Sequence, residues 1–175
     1  MKSTFYIIIV ACCVLLSGCI ELSEDHHTIG HNGKVSLTEE YPLCENAHSI
    51  VPTSKVSSLS NELDGNNISI LNWNSYKGTK EGWLDTFAEL SKDRDIVVLQ
   101  EGYITHQLSQ TLEDNSFTWD IATAFAKDNI SAGVLTASKV SPDGLCSFWD
   151  DEPILTVPKT SMVTRYRLKN RSDSL

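Results

Sequence analysis

The clearest periodicity in the chain lies between residues 64 and 101. The turn signal "DGNN" at 64–67 precedes "ISILNWN" at 68–74, whose apolar run predicts a strand over 68–73. Gly78 and "TKEG" at 79–82 break it. From 81 to 92 the large apolar side chains Trp83, Phe87 and Leu90 recur at i, i+4 and i+7, the spacing of one helical face. "KDRD" at 92–95 ends that helix. A near-continuous apolar run over 95–100 predicts a second strand. A strand, a helix and a strand within about 34 residues form a βαβ unit, with parallel strands and a right-handed crossover.

The remainder is richer in strands. Residues 104–113 suggest a second short helix. "FTWDIATAFA" at 117–126 places Phe117, Trp119, Ile121, Thr123 and Phe125 on one face of a strand. "AGVLTAS" at 132–138 is another strand, closed by the turn "SPDG" at 141–144. Two further strands are expected at 153–157 and 161–168. Residues 20 to about 65, rich in Ser, Glu, Asp, His and Asn, read as a tether that becomes partly ordered near Cys44. The expected class is α+β, a mixed sheet with flanking helices.

The chain of 175 residues is long enough for one domain and a tail. A formal charge of −9 argues against broad electrostatic binding to nucleic acid, though not against an enzyme that meets phosphate through a metal. Lys2 and the apolar "FYIIIVACCVLL" form a targeting segment too short for a comfortable span. It runs into Leu16, Ser17, Gly18 and Cys19, which resembles a bacterial lipobox. This resemblance implies cleavage after residue 18, lipid on Cys19 and attachment to the membrane of the cell envelope. Ile20 follows the cysteine, which favours the outer membrane, facing the periplasm. The organisation is then a signal peptide over 1–18, a tether over 19–65 and a domain over 66–175. Cys12 and Cys13 leave with the signal, so Cys44 and Cys146 remain. In an oxidising compartment a disulfide between them is favoured over two buried thiols.

Asn74 and Glu101 both sit at or just past the carboxyl ends of strands expected to be parallel neighbours, the edge where open sheets bind ligands. A glutamate carboxylate suits magnesium or manganese, and an asparagine amide can serve a metal-bound water or a phosphate oxygen. Strand capping by Gln100 and Glu101 is the plain alternative. His26, His27 and His31 in "HHTIGH" have no acid or cysteine cluster to complete a metal site and read as solvated linker. His48 and His106 read as surface or packing residues. Tyr76 and Lys77 are within reach of a substrate phosphate, although a loop lysine is more often simply solvated. Arg165 and Arg167 alternate on one strand face, either a small basic stripe or a solvated end.

"ILNWNSYKG", a Trp-bearing helix and "DIVVLQE" resemble the opening of the endonuclease/exonuclease/phosphatase superfamily, which has the deoxyribonuclease-I-like fold. The matching signatures are Trp73–Asn74 and Gln100–Glu101. Gly133 to Ser138 resembles that family's Gly-bearing strand. "EPILTVPKTSMVTRYRL" resembles its next paired strands, with Glu152 and Lys159 in the connection. The resemblance spans about residues 66–168. It implies part of a four-layered α/β sandwich and hydrolysis of phosphodiester or phosphomonoester bonds with Mg2+ or Mn2+. Under that resemblance Glu101 would bind the metal, and Asn74 would orient a phosphate oxygen or a metal-bound water; Lys77 and Glu152 are the candidate substrate contacts.

The family's later motifs do not occur. These are a strand carrying Asn or His, an Asp-x-Asn strand end and a terminal Asp-His pair; Asp173 is not followed by histidine. The expectation is therefore the first half of such an enzyme, with weak metal binding and no turnover alone. A non-catalytic lipoprotein or a binding module is the alternative. The missing half is expected to leave a sheet face uncovered, around Phe117, Trp119 and Ile121 or their opposite neighbours, and so prone to self-association.

Overall fold

A computed structural model describes residues 20–21, 28–30, 49–51, 62–152, 158–171 and 174–175. Strands β1 (Ile20–Glu21), β2 (Thr28–Gly30) and β3 (Ser49–Val51) precede the βαβ unit, which comprises β4 (Ile70–Asn74), helix α1 (Trp83–Ser91) and β5 (Ile96–Tyr103). Then come helix α2 (His106–Asp114) and strands β6 (Thr118–Lys127), β7 (Ile130–Ser138), β8 (Gly144–Asp151) and β9 (Pro158–Arg165).

β4 and β5 are parallel neighbours, with Ile70 opposite Ile96 and Asn74 opposite Gln100. Their register is pinned at the entry end. One carboxylate oxygen of Asp95 accepts from the Ser69 backbone N–H at 2.8 Å and from the Ser69 hydroxyl at 2.7 Å. Both strands therefore start level, and their carboxyl ends arrive together.

The six-stranded sheet runs β1–β6–β7–β5–β4, with β2 also on β6. Among the described strands only the β4–β5 pair is parallel; the other pairings of this sheet are antiparallel. β6 and β7 form a hairpin whose tip residues, Asp128 and Asn129, have φ of 52° and 61°. Two successive left-handed residues of this type suit a tight hairpin turn. The tip lies at the same end of the sheet as the carboxyl ends of β4 and β5, because Tyr103 pairs with Ala132. β1 joins there too, with Ile20 opposite Lys127.

One face of this sheet is covered by the helices. Trp83, Phe87, Leu108, Leu112 and Phe117 pack with Val97, Leu99, Trp119, Ile121, Leu135 and Ala137 in a single buried cluster. Phe87, Leu99, Leu112, Ile121 and Leu135 are fully buried, each stabilising by about 1.5–3 kcal/mol. The Thr105 hydroxyl caps α2 by accepting from the Leu108 N–H at 3.2 Å. The uncovered face expected at Phe117, Trp119 and Ile121 is thus corrected: two amphipathic helices fill it.

The other face meets a second, three-stranded sheet, β3–β8–β9. The Thr160 hydroxyl donates to the Ala122 carbonyl at 3.0 Å, Thr136 and Thr164 share a hydrogen bond at 3.2 Å, and Thr28 meets Ser147 at 3.1 Å. The result is an α+β arrangement of helices, sheet and sheet. The opposite neighbours Ala122 and Ala124 are buried as well.

Four other expectations change. Leu90 is 41% exposed; the buried face of α1 centres on Phe87 and extends to Ser91 and Leu84, leaving Leu90 at its margin. β8 is not among the expected strands, while 153–157 lies outside the described residues. β9 begins at Pro158, three residues earlier than expected. Finally, β1, β2 and β3 tie parts of the segment read as a tether onto both sheets.

Candidate functional site

At the carboxyl end of β4 and β5 the backbone departs from regular strand. Leu99 pairs with Leu135 and Gly102 with Gly133, so Gln100 and Glu101 together oppose one residue of β7. This is a β-bulge, which bends a strand and re-aims side chains. Strict alternation from Val97 and Leu99 would turn Glu101 toward the helices. The bulge keeps it on the other face, with Asn72, Asn74 and Gln100. Glu101 has φ of 51°, and Tyr76 and Lys77 have φ of 50° and 57°. Three left-handed non-glycine residues in one small region store strain of the kind that clusters at functional sites.

These backbones bring the polar groups together. Asn74 Nδ2 donates to Glu101 Oε1 at 3.1 Å. Asn74 Oδ1 accepts from the Tyr76 N–H at 3.0 Å, which fixes the amide's orientation. Lys77 Nζ lies 3.4 Å from Glu101 Oε2, and Gln100 Nε2 donates to Asn72 Oδ1 at 2.6 Å. The Asn74 hydrogen bond, opposed by burial and aided by the charges of Lys77 and Lys159, holds the Glu101 carboxyl below the usual carboxylate range. Glu101 is therefore an anion at neutral pH, and the lysine beside it marks where positive charge is favoured.

The remaining candidates are placed as follows. Lys159 on β9 pairs with Glu152 at 3.5 Å and acts on Glu101 through its charge, so Glu152 reaches the site at one remove. Arg165 and Arg167 both pair with Asp143, at 2.9 and 3.4 Å, and form no free basic stripe. His106 begins α2, three residues after the end of β5. Cys146 is fully buried on β8 and disulfide-bonded. Cys19, Cys44, His26, His27, His31, His48 and Asp173 lie outside the described residues.

Sequence reasoning does not single out Ser75, which is 2% exposed. Its hydroxyl lies 3.1 Å from the Gln100 carbonyl and 2.8 Å from the Glu101 carbonyl. Only its position directly after Asn74 marks it.

As a metal site the residues fit in part. Magnesium commonly takes one or two carboxylates from protein and keeps several waters. Glu101 supplies one carboxylate and Asn74 an amide. Among the described residues no group of three or more His, Cys, Asp or Glu side chains converges to hold a metal.

No family model matches the chain, and no solved structure matches it. It is similar to a UPF0294 protein of Vibrio cholerae, 33% identical over 119 residues, which are 68% of this chain and 41% of the relative. A UPF0294 protein of Vibrio parahaemolyticus is 31% identical over 107 residues, 61% of this chain and 38% of the relative. One from Vibrio campbellii is 27% identical over 103 residues, 59% and 36% respectively. The chain is thus similar to UPF0294 proteins of Vibrio, and the match spans about two fifths of the length of these relatives.

Proposed function

We propose that the chain carries part of a metal-dependent phosphoester hydrolase of the endonuclease/exonuclease/phosphatase type, within a deoxyribonuclease-I-like four-layered sandwich. The observation that carries the reading is the Asn74–Glu101 hydrogen bond at the carboxyl ends of adjacent parallel strands. The helices–sheet–sheet order supports it, since it corresponds to three layers of such a sandwich.

Glu101 would hold Mg2+ or Mn2+, and Asn74 would orient the carboxylate and a phosphate oxygen. When bound, the metal polarises the phosphate and offsets charge on the leaving oxygen. Lys77 and Lys159 add local positive charge that favours an anionic phosphate ester as substrate. Its class beyond that is left open by these residues.

One carboxylate with no neighbouring base among the described residues predicts binding but little turnover, since general acid–base help is worth about 10²- to 10⁴-fold. The expected result is weak Mn2+ binding, read by calorimetry, that Glu101→Ala removes. Hydrolysis of a nitrophenyl phosphodiester by the chain should not exceed the Glu101→Ala control. Mn2+ affinity unchanged in Glu101→Ala would sink the metal assignment. Turnover lost in Glu101→Ala would instead show that a base completes the site, with His106 the first to test.

The localisation we propose is the bacterial cell envelope, through lipid on Cys19, supported by the Leu-Ser-Gly-Cys run after an apolar segment. Intact-mass measurement on membrane-fraction protein should find residues 1–18 missing and a diacylglyceryl or triacyl adduct. An unmodified amino terminus elsewhere would refute it.

A further inference from the structure

The Glu101 carboxylate reaches Asn74 only because the chain bulges at Gln100–Glu101 and Glu101 adopts a left-handed backbone, a conformation disfavoured for a side chain of this size. Such a conformation persists when its surroundings over-determine it. Asn74 and Lys77 hold the Glu101 side chain, and Ser75 meets the backbone. The Ser75 N–H donates to the Gln100 carbonyl at 2.9 Å, which extends the parallel ladder by one step. The Ser75 hydroxyl then lies between two successive carbonyls, 3.1 Å from that of Gln100 and 2.8 Å from that of Glu101. A hydroxyl has one proton, and the shorter distance assigns it mainly to the Glu101 carbonyl.

The side chain is also enclosed, at 2% exposure. Water therefore does not substitute for it freely. A buried hydroxyl held on the backbone of the candidate metal ligand is placed to orient that ligand.

We propose that Ser75 is a positioning residue: its hydroxyl fixes the bulge so that the Glu101 carboxylate stays on the Asn74 side of the sheet. Its consequence for metal binding rests on the function proposed above, but its effect on the backbone does not.

Two variants of the full chain separate these roles, Ser75→Ala and, as a matched control, Ser91→Ala. Ser91 is also fully buried, with its hydroxyl on a backbone carbonyl, that of Ala88 at 3.4 Å. The first readout is the amide-to-α-proton nuclear Overhauser effect within Glu101, measured without metal, which is strong only when that residue is left-handed. Ser75→Ala should weaken it and shift the Asn74 side-chain amide resonances, while Ser91→Ala leaves both in place. The second readout is Mn2+ affinity, expected to fall by about tenfold or more in Ser75→Ala only. An unchanged Glu101 signal in Ser75→Ala, or an equal change in Ser91→Ala, overturns the positioning role. If the unmodified chain binds no Mn2+ while Ser75→Ala still alters the Glu101 signal, the metal reading fails and the positioning role stands.

Discussion

Gly133→Ala should destabilise the protein by about 3 kcal/mol or more, at the upper end of the range for overpacking a rigid site. The cause is steric. A Cβ at Gly133 would lie 1.9 Å from the Ala122 carbonyl oxygen, 2.9 Å from its carbonyl carbon and 3.1 Å from the Ala124 N. All three are backbone atoms of β6, so no side chain can rotate away. Gly133 pairs with Gly102 on one side and Thr123 on the other, beside the bulge in each neighbouring strand. Relief would require moving β6 and, with it, the strand order that carries Glu101. Thermal unfolding should show a midpoint lowered by about 10 °C. Gly82→Ala is the informative contrast. Its φ is 69°, yet among the described residues nothing lies within 4 Å of the added carbon, so it should cost only about 1–2 kcal/mol of backbone strain. If Gly133→Ala proves the milder of the two, the close approach of β6 is wrong.

Asp120→Asn should act in the opposite sense. Asp120 is on the face of β6 turned away from the helices, with Thr136 as its pairing partner, and its charge is felt by the phenol of Tyr166. Burial raises its carboxyl from 3.8 to about 6. Tyr166 is pushed up to about 12, chiefly by burial, with Asp120 adding to the effect and hydrogen bonds to Ser138 and Thr136 opposing it. The native state thus holds a proton on Asp120 more tightly than the unfolded chain does. Its contribution to stability is fully present below about pH 4 and is lost as pH rises through about 6. The gap between those values corresponds to about 3 kcal/mol at most. An asparagine amide at this position mimics the protonated carboxyl at every pH. The variant should therefore be more stable than the parent at pH 7.5 and about equal at pH 4. Urea unfolding at the two pH values checks this. A stability difference that does not depend on pH would remove Asp120 from the layer between the sheets.

The parallel β4–β5 pair is legible in the sequence because its signals are local. An apolar run, a helix-length insert and a second apolar run leave few topologies open. The meeting of Asn74 with Glu101 follows once both strands start level. The bulge is not legible. "IVVLQEGY" reads equally well with or without a change of phase at Gln100, since both faces of β5 are apolar before it. Ser75 escapes for the same reason: its role depends on two carbonyls that no side-chain pattern reveals.

β8 escapes because Leu145, Cys146, Phe148 and Trp149 do not alternate and are followed by two aspartates. β9 is easier, with exposed Lys159, Ser161 and Val163 alternating with less exposed residues. The short strands β1 to β3 are pieces of two or three residues in a polar segment. They are strands only because β6 and β8 offer edges to pair with, which composition cannot show. Leu90 illustrates a finer limit. Helical spacing places it near Trp83, but the sheet below decides which part of a broad apolar stripe is covered.

If Cys19 carries the proposed lipid, the pairing of Ile20 with Lys127 would give that anchor an unusual mechanical character. One peptide separates the cysteine from a residue already locked in the sheet, a Cα-to-Cα span of about 3.8 Å. A domain held on so short a leash would have almost no swing. The hairpin tip at Asp128–Asn129 and the carboxyl end of β5 belong to the same end of the sheet. With lipid on Cys19, that end would be moored against the bilayer, and the height of the Asn74–Glu101 pair above the head groups would be set by the dimensions of the sheet, not by the length of a linker.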